Sequence, residues 1–160
     1  MVMEKDISEL FGTYLNRIDD QGLREGVVKT WLLACRKAGV KTVAELKAMP
    51  FTLLTDHRGL NLIEHTLAVT GGALGLYKAQ QEHYAAMPYQ VNQDRLIAGG
   101  LLHDVGKVME IEKGPDGKYR KSHSGKCARH PVSGAILAAE AGLQEELVNI
   151  IICHAKEGEG

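Results

Sequence analysis

Cysteine pairs, long apolar runs and net charge are all scarce in this 160-residue chain. Cys35, Cys127 and Cys153 are an odd three without framework spacing, which argues against a disulfide-stapled scaffold and predicts reduced thiols. No apolar run approaches the ~20 residues that span a bilayer, so no membrane partner is expected. The opening MVMEKDISEL has no apolar segment of the kind that directs secretion, and a cytoplasmic location is the expectation. A net charge of −1 gives no global pull towards nucleic acid. Internal repeats and low-complexity segments are also lacking. What remains is an ordinary globular composition, 44% hydrophobic and 24% charged, long enough for one domain over 1–160 that buries roughly 70% of its unfolded surface.

Apolar spacing near 3.6 residues predicts helices over 6–18 (Ile7, Leu10, Phe11, Leu15) and 23–38 (Leu23, Val27, Val28, Trp31, Leu32, Cys35). With the short segment VAELKAM, which ends at Pro50, these make 1–50 a supporting region. After the connection TDHRGLN, a long helix is expected from Leu60 to about Tyr84. Gly71, Gly72 and Gly75 inside it suggest close helix packing, since each costs roughly 1 kcal/mol of helix propensity relative to alanine. Asn92 is the expected cap of a helix over Arg95 to Val105, with Gly106 as its C-terminal stop. The period then changes: MEIEK-GPDG-KYRKS reads as a small β-hairpin around Pro115, Asp116 and Gly117. Pro131 suits the first turn of a helix that Gly142 ends, and Glu145 and Glu146 open a last helix reaching about Cys153.

The residues that carry chemistry sit on these elements. In LLHDVGKV, Asp104 falls in the last turn of an apolar helix, where the macrodipole disfavours a carboxylate by a few tenths to ~1 kcal/mol. A bound cation reverses that sign. His65 lies on an expected inward stripe with Leu62, Ala68 and Val69, and His154 continues the stripe Leu147, Ile150, Ile151. His103 adjoins Asp104, and His130 begins another helix. Any one of these histidines alone reads as a hydrogen-bonded core or surface residue; four histidines and an aspartate at converging helix positions read as ligands for one or two divalent metals. Glu64 is either a hydrogen-bond acceptor behind His65 or a solvent-facing acid. His57, His83 and His123 read as surface histidines.

The order His65, His103-Asp104 with Val-Gly-Lys following, His130 and His154 resembles the HD-domain superfamily of metal-dependent phosphohydrolases. GLNLIEHTLAV, VNQDRLIAGGLLHDVGKVMEIE and RHPVSG resemble in particular the HD module of bacterial 3′-5′ exoribonucleases. The resemblance covers the chain from about Leu60 onward, so 60–160 is expected to be the metal-site core. It implies an all-α, HD-type helical bundle with a small β-hairpin insertion, and one or two divalent ions drawn from Fe, Mn, Zn, Ni or Mg. His65, His103 and Asp104 would hold a first metal; Asp104 would bridge to a second on His130 and His154; Lys107 would face substrate phosphate. Asp104 and Lys107 are thus the expected catalytic residues. The family pattern closes on a later aspartate. This chain offers only Glu157 and Glu159 beyond His154, which predicts that the final helix of the domain is lacking.

The implied reaction is attack of metal-activated water on a nucleotide or other phosphate ester. Between Lys107 and His130, seven basic residues stand against three acids, a local excess suited to an anionic substrate. Arg129 joins Lys107 as a candidate phosphate contact because it adjoins His130. The expected partner is therefore a small phosphorylated substrate, with nucleic acid only weakly supported because the first 50 residues show no OB-fold strands. Three alternatives stay open. A di-iron oxygenase uses the same histidine and aspartate set, a regulatory module binds metal or nucleotide without catalysis, and a structural zinc site draws on His123, Cys127, His130 and Cys153.

Overall fold

Short polar side chains start most of the helices. Asp20, Thr42, Asn61, Asn92 and Ser122 each accept a hydrogen bond from a backbone N–H of the first helical turn, satisfying donors that a helix start leaves open. The computed structural model describes residues 1–155 and bears out the all-α class. Its helices are α1 (Glu4–Leu15), α2 (Gln21–Ala38), α3 (Val43–Ala48), α4 (Leu62–His83), α5 (Gln93–Leu102), α6 (Lys107–Glu110), α7 (His123–Cys127), α8 (His130–Ala141) and α9 (Glu145–Cys153). Between α6 and α7 lies an antiparallel hairpin of β1 (Ile111–Lys113) and β2 (Tyr119–Lys121), with Ile111 opposite Lys121 and Gly117 N–H donating to the Gly114 carbonyl across the turn. Among the described residues no helix is long and apolar enough to cross a membrane.

The supporting helices α1 and α2 build the floor beneath α5. Trp31 is fully buried, packs on Phe11 with ring centroids 4.8 Å apart, and donates its indole N–H to the Leu101 carbonyl at 3.0 Å. That carbonyl belongs to the last turn of α5, where intrahelical donors run out. Small residues then let neighbours close in on α5. A Cβ on Gly100 would lie 3.0 Å from the Thr70 Cα of α4, and one on Gly99 would lie 3.0 Å from the Ile150 side chain of α9.

Three sequence expectations are corrected here. The expected helix to Val105 stops at Leu102, and Gly106 is not a left-handed stop, because its φ of −63° is ordinary right-handed backbone. Glycine is needed there for space: a Cβ would meet the His130 carbonyl oxygen at 2.1 Å and the Gly134 N at 2.7 Å. The stripe Leu62, His65, Ala68, Val69 is not the inward face of α4. Leu62, Ile63, Thr66, Thr70 and Leu74 are buried, whereas Ala68 and Val69 are exposed and His65 sits half-buried at the edge. Thr66 and Thr70 can turn inward because each hydroxyl donates to the carbonyl four residues back at 2.8 Å, which leaves a compact apolar surface. Close packing also explains Gly71 alone, whose Cβ would strike the Tyr14 hydroxyl, while Gly72 and Gly75 face open space.

Gly106→Ala therefore forces backbone apart and is expected to destabilise the fold by about 1–3 kcal/mol or more, read as a lowered thermal midpoint. Gly72→Ala, entering open space in a helix, is expected to be neutral or stabilising by up to about 1 kcal/mol.

Candidate metal centre

Four helix ends converge on one carboxylate. Asp104 follows the His103 cap of α5, and the turn 103–106 hands the chain directly to α6. Its side chain is 3% exposed, with His65 Nε2 and His103 Nε2 each 3.2 Å from Oδ2, and His130 Nε2 and His154 Nε2 at 3.3 and 3.5 Å from Oδ1. All five expected ligand residues are thus brought together. They form two groups that share Asp104: His65 with His103, and His130 with His154.

Ring orientation is fixed from behind. His103 Nδ1 donates to the Gly100 carbonyl at 2.7 Å, His154 Nδ1 to the Ile151 carbonyl, and His130 Nδ1 to Glu110 Oε2 at 2.7 Å. With those protons on Nδ1, each neutral ring presents a bare Nε2, as a metal-binding imidazole does. His65 is held differently, stacked on Phe51 at 4.7 Å between centroids.

Electrostatics decide what such a set wants at its centre. Burial works to raise the Asp104 carboxyl; only with Nε2 of His103, His154 and His65 protonated would their hydrogen bonds outweigh burial and hold the group far below the ordinary carboxylate range. Bare nitrogens facing a carboxylate oxygen repel, and charging every ring would set like charges against one another with adjacent centroids 5.2–5.5 Å apart. A divalent cation resolves both. Metal bonds of about 2.0–2.2 Å place ligand atoms roughly 2.8–3.6 Å apart at octahedral or tetrahedral angles. The nitrogen–oxygen separations of 3.2–3.5 Å lie within that range, so the donor set fits a metal.

The HD-domain model matches residues 62–160. The chain belongs to the HD-domain family. A dihydroneopterin 2′,3′-cyclic phosphate phosphodiesterase of Methanocaldococcus jannaschii is 34% identical over 108 residues, covering 64% of this chain and 41% of that protein. Ribonuclease Y of Thermotoga petrophila, and equally that of Thermotoga maritima, is 31% identical over 136 residues, covering 85% of this chain and 21% of the enzyme. This HD domain therefore spans less than half the length of the relatives it matches. No solved structure matches the chain.

The remaining candidates fall into place around the HD centre. Lys107, expected to face substrate phosphate, places its ammonium 2.6 Å from Asp104 Oδ2 and 5.9 Å from the Phe51 ring centroid. Arg129 caps α8, with Nε 3.8 Å from Glu110 Oε1. Glu64 is exposed and completes the capping box of α4 with Asn61, which settles its role as a helix-start acid. His83 and His123 are exposed, while His57 binds the Leu60 carbonyl within its loop. Cys127 is exposed and lies 3.9 Å from His123 Nε2; neither cysteine of the zinc alternative joins the metal-capable groups among the described residues. Glu157 and Glu159, the possible substitutes for the closing aspartate, lie outside the described residues.

Sequence reasoning missed Glu110, which counted only as one acid in a basic stretch. It accepts both the backbone N–H and the ring Nδ1–H of His130 at 2.7 Å each. Burial works to raise its carboxyl, yet these bonds hold it down to about 2. Its position at the end of α6, facing a histidine twenty residues later, was not visible in any local pattern.

Asp104→Ala is expected to abolish metal uptake while circular dichroism stays helical. His130→Ala and His154→Ala should each lower metal stoichiometry by a similar amount, measured by elemental analysis. Full metal content in all three variants would exclude this cluster as a metal centre.

Proposed function

We propose that this HD domain is a metal-dependent phosphohydrolase acting on a nucleotide or another phosphate ester. The observation that carries the reading is a single buried carboxylate with two imidazole nitrogens at each oxygen. His65, His103 and Asp104 would hold one divalent ion and Asp104, His130 and His154 a second, with iron, manganese, zinc, nickel or magnesium all within the chemistry of nitrogen and oxygen donors. Bound there, such ions bring a water towards ionisation at neutral pH and neutralise phosphate oxygens.

The chain's own residues supply the rest. The Nδ1 bonds of His103, His130 and His154 keep their rings aimed, so little reorganisation is needed when substrate arrives. Lys107, only 14% exposed, carries an ammonium that can bind a phosphate oxygen before and during reaction. Arg129 stands at the N-terminus of α8, where a second phosphate contact would fall. Asp104 would contribute to holding both ions, and no side-chain nucleophile is required.

Relatives named as a cyclic-phosphate phosphodiesterase and a ribonuclease favour phosphate-ester cleavage over the oxygenase alternative. A small phosphorylated substrate fits better than a polynucleotide, given a net charge of −1. We further infer a reducing, cytoplasmic setting from three unpaired cysteines, two of them exposed. A screen of phosphomonoesters and phosphodiesters with each divalent metal tests the reading. Turnover supports it, and an oxidised iron pair with oxygen-dependent product would replace it by the oxygenase.

Lys107→Met keeps the side chain's length and removes its charge. Metal content should stay normal, while KM rises and kcat/KM falls roughly tenfold or more, the scale of one charge-assisted contact. The loss should be larger for more highly charged phosphates.

A further inference from the structure

Beside the metal-capable cluster lies a cavity of about 320 Å³ to which no role has been given. His130 forms part of its lining, so it is continuous with the centre. One wall is the loop between α3 and α4. Its base is pinched by pairing of Pro50 with Asn61 and by Leu62 N–H donating to the Met49 carbonyl at 2.8 Å, which makes 51–60 a closed surface loop. That loop presents Phe51, Leu53 and Leu54 to the cavity; Leu53 is 40% and Leu54 87% exposed. Two leucines side by side on a loop, next to a polar centre, are an unusual expense of apolar surface unless something covers them.

The opposite wall is cationic. Among the described residues, Lys107, Lys121 and Arg129 line it with one carboxylate, Glu110, whose Oε1 lies 3.7 Å from Lys121 Nζ and 3.8 Å from Arg129 Nε. Of the seven basic residues in this stretch, Arg120 instead pairs across the hairpin with Glu112, and Lys113 lies over the Tyr119 ring. The cations at the cavity are thus a subset selected by the fold.

Resting on the phosphohydrolase reading, we propose that this cavity is the subsite for the organic part of the substrate, and that it takes a flat heteroaromatic group joined to the phosphate, as in a mononucleotide. The cavity's volume falls in the range of small-molecule sites. Leu53 and Leu54 cover one face of the ring, while guanidinium and ammonium groups suit both its π face and its heteroatoms. The phosphate points to Lys107 and the histidine cluster.

Comparison of AMP with ribose 5-phosphate isolates the ring, because both are esters of a primary alcohol. The measurements are kcat/KM where turnover occurs and Kd by calorimetry where it does not, on the magnesium- or manganese-loaded chain and on the double variant Leu53→Ser, Leu54→Ser. Both leucines are exposed, so the variant should keep its helical spectrum. The expected result is a preference for AMP of at least about tenfold that falls to within about twofold in the variant, with ribose 5-phosphate unchanged. Equal handling of the two ligands, failure of both to bind, or a preference that survives the double substitution overturns the subsite. Turnover without preference would leave the hydrolase reading intact while removing the subsite. Binding preference without turnover would do the reverse.

Discussion

A buried carboxylate without enough positive charge around it is the constraint on which this fold turns. Asp104 is removed from water at a helix end whose dipole already disfavours it. It is tolerable only because α4, α8 and α9 each bring an imidazole to it and α6 brings an ammonium. The packing serves that convergence. Trp31 fixes the last turn of α5, Gly100 lets α4 approach, and Gly106 lets the turn bearing Asp104 lie directly against the start of α8. Gly134 repeats the device one layer out, since a Cβ there would lie 3.0 Å from the Ile151 side chain of α9. Loosening any of these contacts would change the separations within the cluster, which a metal bound there would need to within a few tenths of an ångström.

Much of this was legible in the sequence where the cause was local. Asn92 capped α5 as expected, Pro131 fell in the first turn of α8, and Gly142 closed it in the left-handed conformation. The hairpin appeared where the period changed, with Gly117 at positive φ in its turn. Residue type and order also sufficed to collect the five residues that converge. What failed depended on neighbours. Gly106 resembled a stop because glycine after an apolar run usually is one, but the demand on it comes from His130, twenty-four residues away. The inward face of α4 was misread because threonines that bond their own helix behave as core, and no apolarity scale registers that. Glu110 was invisible for the same reason: an acid in a basic stretch reads as solvated until its histidine is placed beside it.

The centre and its surroundings differ in how firmly they are built. Three of the four imidazoles stand at helix ends and have rings tied back to backbone carbonyls or to a partly buried acid. The cavity beside them is walled by a loop and a hairpin, elements that change length and composition without disturbing the helices. On the proposed reading, such a division would let one ligand set serve different substrates, the helices holding the reacting group and the loops selecting the organic group.

Glu110 is where those two layers meet. One of its oxygens takes both hydrogen bonds from His130, while the other faces Lys121 and Arg129 at the cavity wall. A phosphate or ring that draws either cation towards itself weakens that cation's hold on Oε1, leaving more of the carboxylate's charge for His130. A more strongly polarised imidazole is a better electron donor through Nε2. Occupation of the cavity and the donor strength of one proposed metal ligand are therefore linked through a single side chain. The link would favour substrate and metal binding together: a metal on Nε2 would make Nδ1–H a stronger donor to Glu110 and loosen that carboxylate's hold on Lys121 and Arg129, while a substrate drawing those cations away would leave Glu110 to His130.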